Sequence, residues 1–254
     1  MSLVARFDKA PLSEVVCGVE FNAPDFSSIH FGLYWQSIRD HFPTPPLDKP
    51  PIGAIEIMAS IPSLRRVWFE SGDRKRLIQV QENRFHYNWK RLAEQDEYPH
   101  FDVLYPHFEK EWNAFQEWWI ELDKLPIQPM HYELTYLNQI DAEFGWRSPR
   151  DTPKIFSFLD ISLLNSLPQL DSHDIGMVFS LPNEHGSLTM RLNQVKRRED
   201  DSNMLILELT ARSTGCNTPI SSWFSNSHEG IVGTFVELLS DAAKEAWGLT
   251  WSEQ

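Results

Sequence analysis

The run from Arg74 to Arg91, RKRLIQVQENRFHYNWKR, limits what this chain can fold into more than any other stretch. Its side chains alternate with period two, and residues two apart in a strand face the same way. Ile78 and Val80 share one face, with Leu77, Gln79 and Gln81 on the other. Beyond a Glu82-Asn83 turn, Phe85, Tyr87 and Trp89 lie opposite Arg84, His86, Asn88 and Lys90. Upstream, Arg65 to Glu70 reads as a third strand, joined through Ser71-Gly72-Asp73, a composition that favours a turn. Residues 65–91 therefore predict a three-strand antiparallel meander with an aromatic core face and a basic, amide-rich reverse.

Flanking segments supply partners for such a sheet. Residues 11–21 read as a strand in which Val15, Cys17 and Val19 alternate with Val16, Gly18 and Glu20. Asp25, Ser27 or Ser28 can cap a following helix with Phe31, Trp35 and Ile38 at helical spacing and Tyr34 beside them. The proline-rich run 43–51 excludes helix and central strand and reads as a stiff connector; its PxxP match is weak. Residues 54–60 predict a short strand. After the meander, Pro106 belongs at the first position of a helix, because inside one it would cost about 3 kcal/mol. Phe108, Trp112, Phe115, Trp119 and Leu122 then form one apolar stripe, most simply laid across the aromatic face.

The second half repeats this plan. Strands are predicted at 131–141, 175–181, 187–195 and 204–212, and Ser227 can cap a helix with Ile231, Phe235, Leu238 and Trp247 on its buried stripe and Glu229 near its positive end. The expected fold class is thus α+β, with two related units, 1–127 and 128–254, each an antiparallel meander covered by a long amphipathic helix. Asn138 shares a face with Tyr132, Leu134 and Tyr136, so it should be buried and hydrogen-bonded, and a junction between the units would suit it.

Composition narrows the function. A net charge of −13 disfavours a general binder of nucleic acid or anionic membrane. The charge is uneven: residues 65–91 hold eight Lys/Arg against three acids, and residues 201–254 hold two against seven. Cys17 and Cys216 lie in no CxxC pattern, no basic-then-apolar leader opens the sequence, and no apolar run approaches the roughly 18 residues of a spanning helix. A cytoplasmic location without membrane partner is expected.

Several strings resemble a sporadically distributed family of uncharacterised prokaryotic proteins of about this length. They are Pro11 to Val15 with Phe21; Arg76 to Gln81 with Arg84-Phe85 and Asn88-Trp89; Glu133 to Ile140; and His228, Phe235 and Trp247. The resemblance implies no established activity, cofactor or catalytic residue. It implies carriage on mobile or defence-related gene clusters, where a binding, antidote or accessory role fits.

Chemical motifs are sparse. No phosphate loop, nucleophile elbow or HExxH occurs. His100 and His107, seven apart, suit one metal ion poorly, and the Ser172-His173-Asp174 group has ligand types without a specific spacing. No metal or cofactor is expected. The remaining candidate is the polar face of the meander, where cross-strand neighbours lie about 5 Å apart. Arg66, Trp68, Gln79, Gln81, Arg84, His86, Asn88, Lys90 and Arg91 form the predicted partner-binding set, with another protein as the expected partner. A nucleic-acid binder using 65–91, or an enzyme of unrecognised class built on His86 and Glu133, are the alternatives.

Overall fold

The computed structural model describes residues 3–50, 65–93, 95–159, 170–182, 185–197 and 200–253. The strand predicted at 54–60 lies outside them. In chain order the elements are β1 (Leu3–Phe7), β2 (Leu12–Asn22), α1 (Ser28–Ile38), β3 (Leu47–Lys49), β4 (Arg66–Glu70), β5 (Arg76–Gln81) and β6 (Arg84–Lys90). There follow α2 (Phe101–Glu121), β7 (Gln128–Ile140), α3 (Thr152–Ile155), β8 (Asp174–Ser180), β9 (Ser187–Lys196), β10 (Asn203–Arg212), α4 (Ile220–Leu238), α5 (Asp241–Ala246) and β11 (Leu249–Glu253). The fold is α+β with antiparallel strand pairing, as the alternation predicted.

Two compact units divide the chain differently from a cut at residue 127. One comprises 14–134 and 212–224; the other comprises 1–13, 135–211 and 225–254. In the first, the strand order is β3-β4-β5-β6-β2, followed by the opening part of β7. The meander register pairs Val67 with Val80, Phe69 with Ile78, Ile78 with Tyr87 and Val80 with Phe85. Strand β2 adds Val15 opposite Trp89, Cys17 opposite Tyr87 and Val19 opposite Phe85. One face of four strands thereby becomes continuously apolar, and α2 covers it. Phe85 lies 5.5 Å from Trp112 and 5.1 Å from Phe115, while Tyr34 of α1 reaches Phe69 at 5.5 Å and Phe115 at 5.0 Å. These tilted and edge-to-face rings are the arrangement that aromatic quadrupoles favour.

Helix α2 departs from its expected start and α1 from its expected stripe. Helix α2 starts at Phe101, so Pro106 lies inside it rather than at its first position. Starting earlier buries Phe101 and Leu104, and two such side chains offset the hydrogen bond the proline removes. Its buried stripe gains Trp118, and Leu122 ends as the half-buried C-cap. On α1 the buried stripe is His30, Tyr34 and Ile38, with Phe31 and Trp35 only half-buried. His30 turns inward because its Nδ1 accepts the Ser27 amide at 2.9 Å and its ring meets Trp119 at 5.0 Å. The proline-rich connector contains β3, a three-residue strand paired to β4. Proline keeps it short and holds it to an edge, since it cannot donate to a second neighbour.

The second unit has the strand order β7-β10-β9-β8 and a separate ribbon of β1 with β11. Tyr132, Leu134, Tyr136, Asn138 and Ile140 are the buried positions along β7, the face predicted from period two. Asn138 is satisfied by donating Nδ2 to the Leu207 carbonyl at 3.3 Å. The Tyr136 hydroxyl meets His228 Nδ1 of α4 at 2.8 Å, which sets that helix against the strand. Helix α4 begins at Ile220, so Ser227 is a buried interior residue, not a cap, and Glu229 is far from the positive end. Trp223 and Phe224 extend the apolar stripe upstream and carry the helix past the local cap signal. A break follows Leu238; Ser240 caps α5 by accepting from the Ala243 amide at 3.1 Å. Among the described residues no helix is long and apolar enough to cross a membrane.

Candidate functional site

Everything on the reverse of the first sheet follows from the same registers. Opposite the apolar pairs, Glu14 stands across from Lys90, Val16 from Asn88, Gly18 from His86 and Glu20 from Arg84. Gln79 pairs with His86 and with Trp68, and Gln81 with Arg84. Lys49 of β3 lies across from Arg66.

The centre of this face is closed. Gln79, Gln81, His86 and Asn88, all in the predicted partner-binding set, are 5 %, 4 %, 4 % and 1 % exposed and so do not lie at the surface. Buried amides need partners, and a relay along the face supplies them. Arg66 Nη1 and Trp68 Nε1 both donate to Gln79 Oε1 at 2.8 Å. Gln79 Nε2 donates to Asn88 Oδ1 at 2.7 Å, and Asn88 Nδ2 donates to the Glu14 carboxylate. This is why a strand-centre Asn, disfavoured by propensity, occupies position 88. Burial pushes the Glu14 carboxyl above its ordinary value, while the Asn88 hydrogen bond and the charges of Lys90 and Arg66 pull the other way.

Toward β7 the face is ionic and self-neutralising. Arg84 lies 3.5 Å from Glu20 and 3.7 Å from Glu133; Arg212 lies 3.3 Å from Glu133 and also bonds Glu20. Burial tends to raise the Glu20 carboxyl, but the Arg212 hydrogen bond and the two arginine charges outweigh it and hold it low. Burial drives His86 down to about 4, against the pull of Glu133 and with the help of Arg84, Arg66 and Arg212. The imidazole is therefore neutral at neutral pH. Its Nε2 stands 4.0 Å from Glu133 Oε1, too far for a hydrogen bond. At 4 % exposure His86 lacks the reach to a substrate proton that acid–base chemistry requires.

The ring of His86 fits because residue 18 is glycine. A Cβ there would lie 2.6 Å from His86 Cδ2 and 3.0 Å from Nε2.

The outer end of the face is different. Trp68 is half-buried, and the ammoniums of Lys49 and Lys90 each lie 4.3 Å from its ring centroid, with the Arg66 guanidinium at 5.3 Å. Glu70 answers part of this charge, 4.0 Å from Lys90 and 3.5 Å from Arg74. Lys49 has no carboxylate within 4.0 Å among the described residues, and Arg66 Nε is buried without a hydrogen-bond partner. Arg91 points elsewhere: its Nε donates to the Asp96 carbonyl at 3.2 Å in the loop after β6.

The predicted set therefore separates. Arg66, Trp68 and Lys90 come together with Lys49; Gln79 and Asn88 form the relay behind them; Gln81 and His86 are buried; Arg84 joins the ionic lattice; Arg91 braces a loop. Sequence reasoning missed Lys49, Glu14, Glu20 and Arg212. Glu14 and Glu20 had a usable signal, since they alternate with the core side of β2 and would oppose Lys90 and Arg84 in an antiparallel pair. Lys49 had none, sitting in a proline run too short for periodicity. Among the described residues no three His, Cys, Asp or Glu side chains gather as a metal set. No family model, no curated protein and no solved structure matches the chain.

Proposed function

We propose that this chain is a non-enzymatic recognition protein that engages another protein through the outer, basic end of its first meander. The observation that carries the reading is the gathering of Lys49, Arg66 and Lys90 around one half-exposed indole. The rest of the face spends its polar groups on itself, in the relay from Gln79 to Glu14 and the lattice of Arg84, Arg212, Glu20 and Glu133. Cations left near an accessible aromatic, in a chain of net charge −13, are a local reversal of sign that favours docking of a complementary surface. The family resemblance adds an antidote or accessory role, with the product of an adjacent gene as the first partner to try.

The test is capture of that product by the tagged full-length chain, repeated after nuclease treatment and with Lys90→Glu. Nuclease-resistant capture that Lys90→Glu abolishes is the expected result. Capture lost to nuclease would instead make the chain a nucleic-acid binder, and capture indifferent to Lys90→Glu would move the contact off this face.

A further inference from the structure

Strand β8 ends the row β7-β10-β9-β8, so among the described residues no strand pairs with its outer margin. The Leu181 amide donates to the Gly186 carbonyl at 2.9 Å, and these two residues continue the β8–β9 register. Hydrogen-bonded positions recur at every second residue of an antiparallel pair, so Ile175, Met177 and Phe179 turn their amides and carbonyls toward β9. Those of Asp174, Gly176, Val178 and Ser180 point outward. Side-chain burial stops short at the same margin. Leu188, Met190 and Leu192 of β9 are buried, but their β8 neighbours Phe179, Met177 and Ile175 are exposed or half-buried, and Val178 on the other face is 71 % exposed. Sheet edges are ordinarily protected by shortness, lysine, proline or a bulge. The β3 edge of the first unit is three residues long and lies in a proline run with Lys49. β8 has no such protection: seven residues in unbroken register, without Lys or Pro, and with Asp174 as the one charge.

From this edge we infer that two copies of the chain pair through β8, antiparallel about a twofold axis at Met177. The strand's own residue order sets the register. Only residues with outward amides and carbonyls can exchange hydrogen bonds across the axis. Centring on Met177 places Asp174 opposite Ser180 and Gly176 opposite Val178 of the second copy, and it uses the full strand. On the other face Ile175 then meets Phe179 and Met177 meets its own copy, so the half-covered apolar row of one chain continues into that of the next. Val178, the most exposed side chain of the strand, lies against the residue that has none. The two Asp174 carboxylates fall at opposite ends, about 20 Å apart at about 3.4 Å per residue, beyond a Debye length of about 8 Å. The edge thus complements itself in shape and in charge. This pairing is separate from the recognition reading and uses none of the residues at Trp68.

Sedimentation velocity of the full chain between about 1 and about 100 µM tests the pairing. The expected result is a concentration-dependent doubling of mass that strengthens with salt, since two chains of net charge −13 repel one another. Val178→Lys, at an exposed position, should weaken association at least about tenfold while thermal unfolding of the chain stays unchanged. Mild oxidation in a Cys216→Ser background, which leaves only the buried Cys17, reads the register. Position 177 faces its own copy in a non-hydrogen-bonded pair, with Cα atoms about 4.5 Å apart, within the span of a disulfide. Met177→Cys should therefore cross-link two chains, and Val178→Cys, which faces Gly176, should do so far less. A chain that stays monomeric at about 100 µM, or a dimer indifferent to Val178→Lys, would overturn the inference. So would association that weakens with salt, or cross-linking at position 178 in preference to 177.

Discussion

Gly18→Ala is the sharpest test of the reverse face, because one added carbon reports whether the register and the His86 ring are where they have been placed. The new Cβ would sit 2.6 Å from Cδ2 and 3.0 Å from Nε2, against an ordinary carbon contact of about 3.5–4.0 Å. The ring must therefore withdraw by about 1 Å. It has little room, being 4 % exposed, with Gln79 opposite it on β5 and Glu133 at 4.0 Å. Overpacking of this kind costs about 1–3 kcal/mol. Urea unfolding followed by tryptophan fluorescence should show a lower midpoint with unchanged slope; at a slope of about 3 kcal/mol/M, a loss of about 2 kcal/mol moves it by about 0.7 M. The cause is isolated by repeating Gly18→Ala in a His86→Ala background, where its cost should fall below about 0.5 kcal/mol. A neutral Gly18→Ala, or a cost that persists without the imidazole, would refute the packing of residue 86 over residue 18.

Asn88→Leu keeps the branched shape of the side chain but strips the relay of its centre, leaving Gln79 Nε2 without its acceptor and Glu14 without its donor, so it should destabilise by about 2–4 kcal/mol in the same assay. Glu14, whose carboxyl burial raises from 4.5, binds a proton more readily folded than unfolded. It therefore makes stability fall as pH rises from about that value through the raised one, and Glu14→Gln should flatten this fall in melting temperatures taken between pH 4 and pH 8. Trp112→Ala, which removes a ring packed on Phe21 and Phe85, should cost about 3–5 kcal/mol, whereas Ile120→Ala on the exposed side of α2 should stay within about 0.5 kcal/mol. Equal effects of those last two would mean that α2 does not lie on the sheet by the face described.

Much of the fold was legible because strand and helix periods are local properties. The meander was found from alternation and turn residues, the strands predicted at 175–181, 187–195 and 204–212 fall on β8, β9 and β10, and the faces of β6 and β7 came out as written in their residues. Helix boundaries were less legible. Pro106 and Ser227 were both read as local helix starts, yet burial of Phe101, Leu104, Trp223 and Phe224 overrode them. Such contacts are made with residues distant in the chain, so no local rule can weigh them.

What the amino-acid order determined by itself is which side chains share a face, because the pleat imposes that whatever surrounds the strand. Only the tertiary structure decided which face is dry. The centre of the polar side is closed and satisfied by groups brought from β2, β4 and β7, with Arg212 reaching Glu20 across 192 positions of chain. Burial and hydrogen-bond satisfaction are properties of what covers a surface, and that cover is assembled from residues that neither spacing nor charge count can place. The cations at Trp68 stand out only once this pairing elsewhere has been accounted for.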